Sequence, residues 1–144
     1  MLESADLLRT TIEPQLTEFL QACRDTGIEI ALSSWFRQDR ENARMRILTP
    51  RDFADVWLNV LRHIESAGFM DLIYYLDLCN EWPQAMWAPF FDGDRGSGDD
   101  WRTADSQRWM RETVDLVRAQ YPDLPLTFSF SGHLHDGGDI DLSY

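Results

Sequence analysis

One buried strand that ends in an amide and a carboxylic acid constrains this chain most. Residues 72–79 form a mostly apolar, β-favouring run, and Asn80 and Glu81 follow it directly. A run of that length with little polar alternation predicts a strand covered on both faces, as in a parallel sheet. Binding and catalytic groups of α/β proteins gather at the carboxyl ends of such strands. Asn80 and Glu81 are therefore a candidate functional site.

The same order of helix, short breaker, buried strand and polar strand end occurs three times along the chain. Apolar residues at steps of three and four predict a helix in each unit, and the predicted strands are 28–36, 72–79 and 126–130. The units cover residues 1–36, 50–81 and 104–131, and we interpret residues 1–144 as a single partial domain. Helices alternating with buried strands predict an α/β fold with a parallel sheet.

Local signals predict where the helices begin and end. Pro14 fits the first turn of the first helix, where a missing N–H is tolerated. Thr49 followed by Pro50 is typical of an N-cap with proline at the first helical position. Ser106 is predicted to cap the third helix. Gly68 is a predicted helix stop, because glycine readily adopts the left-handed conformation.

Two architectures fit these units, an open doubly wound sheet and a (β/α)8 barrel. No Gly-rich phosphate loop follows any predicted strand, which removes the best support for a nucleotide-binding sheet. A complete barrel takes ~250 residues. The 144 residues of this chain would therefore form part of a barrel.

Charge and composition exclude several classes of partner. A net charge of −12 repels phosphate backbones, so we predict no nucleic-acid partner. No apolar run approaches the ~20 residues of a membrane helix, so no membrane partner is predicted. Residues 1–6 lack the basic and apolar regions of a signal peptide, although a missing N-terminus could hold one and the localisation stays open. Cys23 and Cys79 are predicted to be buried free thiols.

At Asn80 and Glu81 the sequence resembles the large clan of retaining (β/α)8-barrel glycoside hydrolases that includes cellulases and mannanases. Residues 32–36 look like the end of the third strand in cellulase-like, family 5-like members, residues 75–82 like the fourth and residues 126–131 like the fifth. The resemblance implies a partial (β/α)8 barrel and a glycoside hydrolase that cleaves β-linked polysaccharides or oligosaccharides. It implies a carbohydrate substrate and no cofactor.

The resemblance also implies roles for individual residues. In that clan an Asn-Glu pair ends the fourth strand, so Glu81 would be the general acid/base and Asn80 would contact the sugar 2-hydroxyl. Many members have proline directly after the glutamate, whereas here Trp82 stands between Glu81 and Pro83. The nucleophile of the clan is a second glutamate at the end of strand seven, and we expect it to lie outside this chain.

Four further residues are predicted to bind substrate. Trp35 and Trp82 lie at strand ends, where an aromatic face could stack on a sugar. Ser34 belongs to the polar end of its strand, and His133 would line a sugar cleft near the end of strand 126–130. Asp77, in contrast, is predicted to be a buried carboxylate bonded within the barrel.

Two alternatives compete with the hydrolase hypothesis. His133, His135, Asp136 and Asp139 could bind a divalent metal, which would indicate a metal-dependent hydrolase of another class. The segment is Gly-rich and no Cys or further His completes a site, so we predict no metal. The second alternative is a catalytically silent carbohydrate-binding or structural α/β module, suggested by the aromatic residues in the loop 82–101.

Overall fold

The described residues fold into three helix–strand units whose strands are parallel. The computed structural model describes residues 13–34, 46–83 and 103–130. The described elements are α1 (Glu13–Thr26), β1 (Ile30–Ser33), α2 (Pro50–Ser66), β2 (Ile73–Asp77), α3 (Ala104–Arg118) and β3 (Leu126–Thr127). A 3₁₀ turn, Met70–Leu72, leads into β2. The three described strands form one sheet in the order β1-β2-β3, and both pairs are parallel. The predicted α/β fold with parallel strands is confirmed.

The ends of the helices follow local sequence signals, with one correction. Pro14 lies in the first turn of α1, as predicted. Thr49 caps α2, and its hydroxyl accepts a hydrogen bond from the N–H of Asp52 at 3.1 Å. The prediction that Ser106 caps α3 was wrong. Thr103 is the cap, because its hydroxyl accepts the N–H of Ser106, which already lies inside the first helical turn.

The regular strands are shorter than predicted, but backbone pairing continues beyond their ends. The N–H of Asn80 donates to the carbonyl of Ser34 at 3.0 Å, past the end of β1. Trp82 and Phe130 form an isolated parallel bridge, past the end of β3. The pairing beyond β2 is irregular, so these residues are not part of the regular ladders. The polar residues at the strand ends therefore remain close together at the carboxyl edge of the sheet.

In the described part of the chain, one apolar core holds the helices on the sheet. Helices α2 and α3 pack against each other, and Trp57 and Trp109 on their apolar stripes are buried, as predicted. Cys23 and Cys79 are buried free thiols, which confirms that prediction. Among the described residues, no helix has both the length and the apolar character needed to cross a membrane.

Candidate functional site

Two residues that follow β2 lie opposite a single residue that follows β3. The N–H of Ser129 donates to the carbonyl of Cys79 at 3.2 Å, and the carbonyl of Ser129 accepts the N–H of Trp82 at 2.8 Å. In a regular parallel ladder, the two partners of one residue stand two positions apart, whereas here they stand three apart. Asn80 and Glu81 therefore form a β-bulge opposite Ser129.

Glu81 adopts a backbone conformation that is uncommon for its residue type. Its φ is 58°, and no other non-glycine residue in the described part of the chain has a positive φ. The left-handed conformation costs an L-residue roughly 1–2 kcal/mol. Such strain and such bulges are found next to active sites, where they change the direction of a side chain. The residue is exposed, so a carboxyl group lies at the surface of the carboxyl edge of the sheet.

On the side of β2 that faces away from Ser129, backbone and side-chain hydrogen bonds join the bulge region to the end of β1. Ser34 is half-buried, and its hydroxyl donates to the carbonyl of Leu78 at 2.8 Å. The indole Nε1 of Trp57 in α2 donates to the same carbonyl at 2.8 Å. Asn80 is also half-buried, with its N–H on the Ser34 carbonyl. The ends of β1 and β2 and the side chain of Trp57 from the middle of α2 thus meet directly before Glu81.

A buried carboxylate joins the ends of all three strands. Asp77 is 4% exposed. It accepts hydrogen bonds from the Ser33 hydroxyl at 2.7 Å, the Ser129 hydroxyl at 2.7 Å and the Ser129 N–H at 3.0 Å. These donors satisfy a group whose burial is otherwise costly. The prediction of a buried, internally bonded Asp77 is confirmed. Its partners were not predicted, although a hydroxyl residue near the end of both neighbouring strands was the available signal.

The thiol between these two carboxylates is chemically inert at neutral pH. Burial raises the pKa of Cys79 well above its ordinary value, and the negative charges of Asp77 and Glu81 raise it further. The thiol donates to the carbonyl of Asn80 at 3.4 Å. Because the thiolate is the nucleophilic form, a neutral buried thiol is a poor nucleophile. Cys79 therefore contributes packing rather than chemistry.

Trp82 occupies a core position. Its side chain is 0% exposed, and its ring lies nearly parallel to that of Phe53 with centroids 6.1 Å apart. The rings of Phe128 and Trp109 lie 5.1 Å and 6.2 Å away. A sugar-stacking platform needs an exposed face. The ring expected to be such a platform instead fills the space between sheet and helices in this arrangement.

The predicted site residues divide into those the structure brings together and those it does not describe. Ser34, Asn80 and Glu81 meet at the carboxyl edge of the sheet. Trp35 and His133 lie outside the described residues, as do the second histidine and the aspartates of the metal hypothesis. Within the described ranges, no three His, Cys, Asp or Glu side chains come together in a way that could hold a metal ion.

In parallel α/β folds, barrels included, active sites lie at the carboxyl edge of the sheet, where this chain has an exposed acid and an amide. The family described as sugar-binding cellulase-like matches residues 2–141. The chain therefore belongs to this cellulase-like family.

A solved structure supports the same assignment. A protein from Parabacteroides distasonis ATCC 8503, provisionally described as a glycoside hydrolase, is 43% identical in sequence and superposes with a TM-score of 0.73. The match covers 82% of this chain and 32% of that one, so this chain spans about a third of that protein's length. Among curated proteins, none matches the sequence significantly. The three βα units are thus a cellulase-like, glycoside hydrolase-like domain whose fold is consistent with part of a (β/α)8 barrel.

Proposed function

We propose that this chain carries the acid/base half of the active site of a retaining glycoside hydrolase that cleaves β-linked polysaccharides or oligosaccharides. The observation that best supports this proposal is the bulge after β2. It combines an exposed Glu81 in the left-handed conformation with a half-buried Asn80, at the edge where barrel enzymes act. Membership in the cellulase-like family supports the reaction class.

In this proposal Glu81 acts twice in one catalytic cycle. As a general acid it gives its proton to the glycosidic oxygen while the bond from that oxygen to the anomeric carbon breaks. A second carboxylate, about 5–5.5 Å away in retaining enzymes, attacks the anomeric carbon and forms a glycosyl-enzyme. Glu81 then takes a proton from the water that releases the sugar. The second carboxylate would come from a part of the enzyme outside these three units.

Asn80 and Ser34 would form the sugar-binding part of the same edge. The amide of Asn80 would contact the sugar 2-hydroxyl, where hydrogen bonds that strengthen in the transition state contribute to the rate. Ser34 shares a backbone hydrogen bond with Asn80 and would lie along the same cleft. No metal or organic cofactor takes part in this mechanism.

The substitution Glu81→Gln in the intact protein tests the assignment of Glu81 as the general acid/base. We expect kcat/KM on an unactivated oligosaccharide to fall by about 10²–10⁴-fold, the usual contribution of general acid catalysis. A 2,4-dinitrophenyl glycoside should show a rapid burst of phenolate and then slow turnover. Its leaving group needs little protonation, but Gln cannot act as the base for the second step.

A matched control uses the same chemical change at the opposite edge of the sheet. Glu29 is an exposed glutamate directly before β1. Glu29→Gln should leave the turnover of both substrates unchanged. Wild-type turnover by Glu81→Gln on every glycoside that the unmodified protein cleaves would overturn the proposal.

A sugar-binding module without hydrolytic activity is the second candidate function. The description of the matching family as sugar-binding favours it. Calorimetric titration with β-linked oligosaccharides of glucose and of mannose separates the two candidates. Binding by a protein that hydrolyses none of these sugars would favour the silent module, whereas turnover that depends on Glu81 would favour the hydrolase.

A further inference from the structure

The bulge that carries Glu81 is held by a single residue of the neighbouring segment. Ser129 bonds to both ends of the bulge, to the carbonyl of Cys79 through its N–H and to the N–H of Trp82 through its carbonyl. Ser129 lies beyond the two regular residues of β3, where the bulge interrupts the regular ladder with β2. A further constraint from outside the ladder can therefore act on the direction of its backbone groups.

The buried carboxylate of Asp77 provides that constraint. The Ser129 hydroxyl donates to Oδ2 at 2.7 Å, and the Ser129 N–H donates to Oδ1 at 3.0 Å. Asp77 is itself fixed from the other side, because the Ser33 hydroxyl of β1 donates to Oδ2 at 2.7 Å. The carboxylate is buried and lies on the same strand as the bulge. Asp77 therefore fixes Ser129, the residue that faces Glu81, relative to β2.

We propose that Ser129, oriented by Asp77, is a positioning residue that holds the bulge in place and sets the direction of the Glu81 carboxyl group. The catalytic consequence rests on the proposed function, whereas the effect on the bulge does not. A displacement of about 1 Å at a reacting group can cost up to 10²-fold in rate. Because a general acid matters most when the leaving group is poor, the loss depends on the leaving group.

The chain offers a matched control for the Ser129 hydroxyl. Ser33 and Ser129 donate to the same oxygen of Asp77 at the same distance of 2.7 Å. Ser33→Ala and Ser129→Ala therefore remove equivalent hydrogen bonds from the same carboxylate. Only the second variant changes the residue that bonds to both ends of the bulge. Ser129→Thr keeps the hydroxyl and should behave as the unmodified protein.

The first measurement is amide hydrogen exchange of Trp82 in the protein as encoded, which needs no catalytic activity. The Trp82 N–H bonds to the Ser129 carbonyl at 2.8 Å, so its exchange reports directly on the bulge. We expect exchange to be at least about 10-fold faster in Ser129→Ala, and within about 3-fold of the unmodified protein in Ser33→Ala and Ser129→Thr. Equal exchange in Ser129→Ala and Ser33→Ala would overturn the proposal.

The second measurement is turnover of aryl glycosides with different leaving groups. In Ser129→Ala we expect kcat/KM, which reports the first, acid-assisted step, to fall about 10-fold on a phenyl glycoside and less than about 2-fold on a 2,4-dinitrophenyl glycoside. Ser129→Thr should restore kcat/KM. A loss of kcat/KM of the same size on both substrates would indicate general destabilisation and would overturn the positioning role.

Two further arms keep the proposal separate from the proposed function and from misfolding. If the unmodified protein cleaves no glycoside, the proposed function fails and the exchange of Trp82 alone decides the inference. If Ser129→Ala does not fold, Asp77→Asn replaces it, since the amide keeps the volume and one acceptor oxygen. The same dependence on the leaving group and faster Trp82 exchange are expected there, and their absence would contradict the proposal.

Discussion

The pairing of the middle strand, β2, is irregular at both ends, and the residues at the two irregularities differ in chemical character. At the amino end, the register between β1 and β2 skips Tyr74, whose side chain is 63% exposed. At the carboxyl end, Asn80 and Glu81 form a bulge on the opposite side of the strand, facing Ser129. The first involves an exposed aromatic residue, and the second contains an exposed acid next to a half-buried amide.

The surroundings of the two irregularities also differ. Glu81 has a positive φ, whereas Tyr74 does not. The carboxyl-end bulge is supported by the buried Asp77 and by the hydroxyl groups of Ser34 and Ser129. In barrels the amino edge serves stability and the carboxyl edge serves chemistry. A bulge alone therefore does not indicate a site, and the carboxyl-end bulge is the candidate because its exposed acid lies beside a network of buried hydrogen bonds.

The largest expected effect contrasts the aromatic residues next to the two irregularities. Trp82→Ala should lower the free energy of unfolding by about 3–5 kcal/mol, because the fully buried ring leaves a cavity among Phe53, Phe128 and Trp109. Tyr74→Ala should cost less than about 1 kcal/mol, because most of that ring is already in water. Urea unfolding of both variants measures the difference. A small effect at Trp82 together with weaker sugar binding would restore the stacking hypothesis.

Smaller changes in the free energy of unfolding are expected when glycine replaces Glu81 or Tyr74, and the two changes should have opposite signs. Glu81→Gly should raise the free energy of unfolding by about 0.5–1 kcal/mol, because glycine accepts the positive φ without the steric cost of a side chain. Tyr74→Gly should lower it by about 1 kcal/mol through lost backbone entropy and the lost edge contact with Tyr75. Thermal and urea unfolding report both signs. Destabilisation by both substitutions would show that Glu81 is not strained.

The smallest effect is a pH dependence at the carboxyl edge. Burial raises the pKa of the folded Cys79 thiol, so the unfolded chain loses this proton at a lower pH than the folded chain does. The stability from this group is therefore complete below the ordinary thiol pKa and declines as pH rises through the folded value. The difference in unfolding free energy between the unmodified protein and Cys79→Ala, followed from pH 7 upward, isolates this effect. A difference that grows with pH would show that folding lowers the pKa of the Cys79 thiol rather than raising it.

Much of the fold was predictable because local spacing and composition determine it. The stripes that bury Trp57 and Trp109 depend on a helical period, and the cap at Thr49 depends on the three residues that follow it. The cap of α3 was misplaced because Thr103 and Ser106 are both good N-cap residues and stand three positions apart. Only the actual first turn of the helix distinguishes them. The strands were predicted too long because pairing partners, rather than propensity, decide where a ladder ends.

The sequence by itself determined the alternation of helices and buried strands, the acid at the end of the middle strand and the buried state of Asp77. These follow from hydrophobic period and residue type, which act over a few neighbouring positions. Only the tertiary structure decided that Asn80 and Glu81 form a bulge, that Trp82 is buried, and that Asp77 bonds to Ser129. Asp77 and Ser129 stand 52 residues apart, so no local pattern couples them. They meet because parallel strands place distant residues side by side at one edge of the sheet.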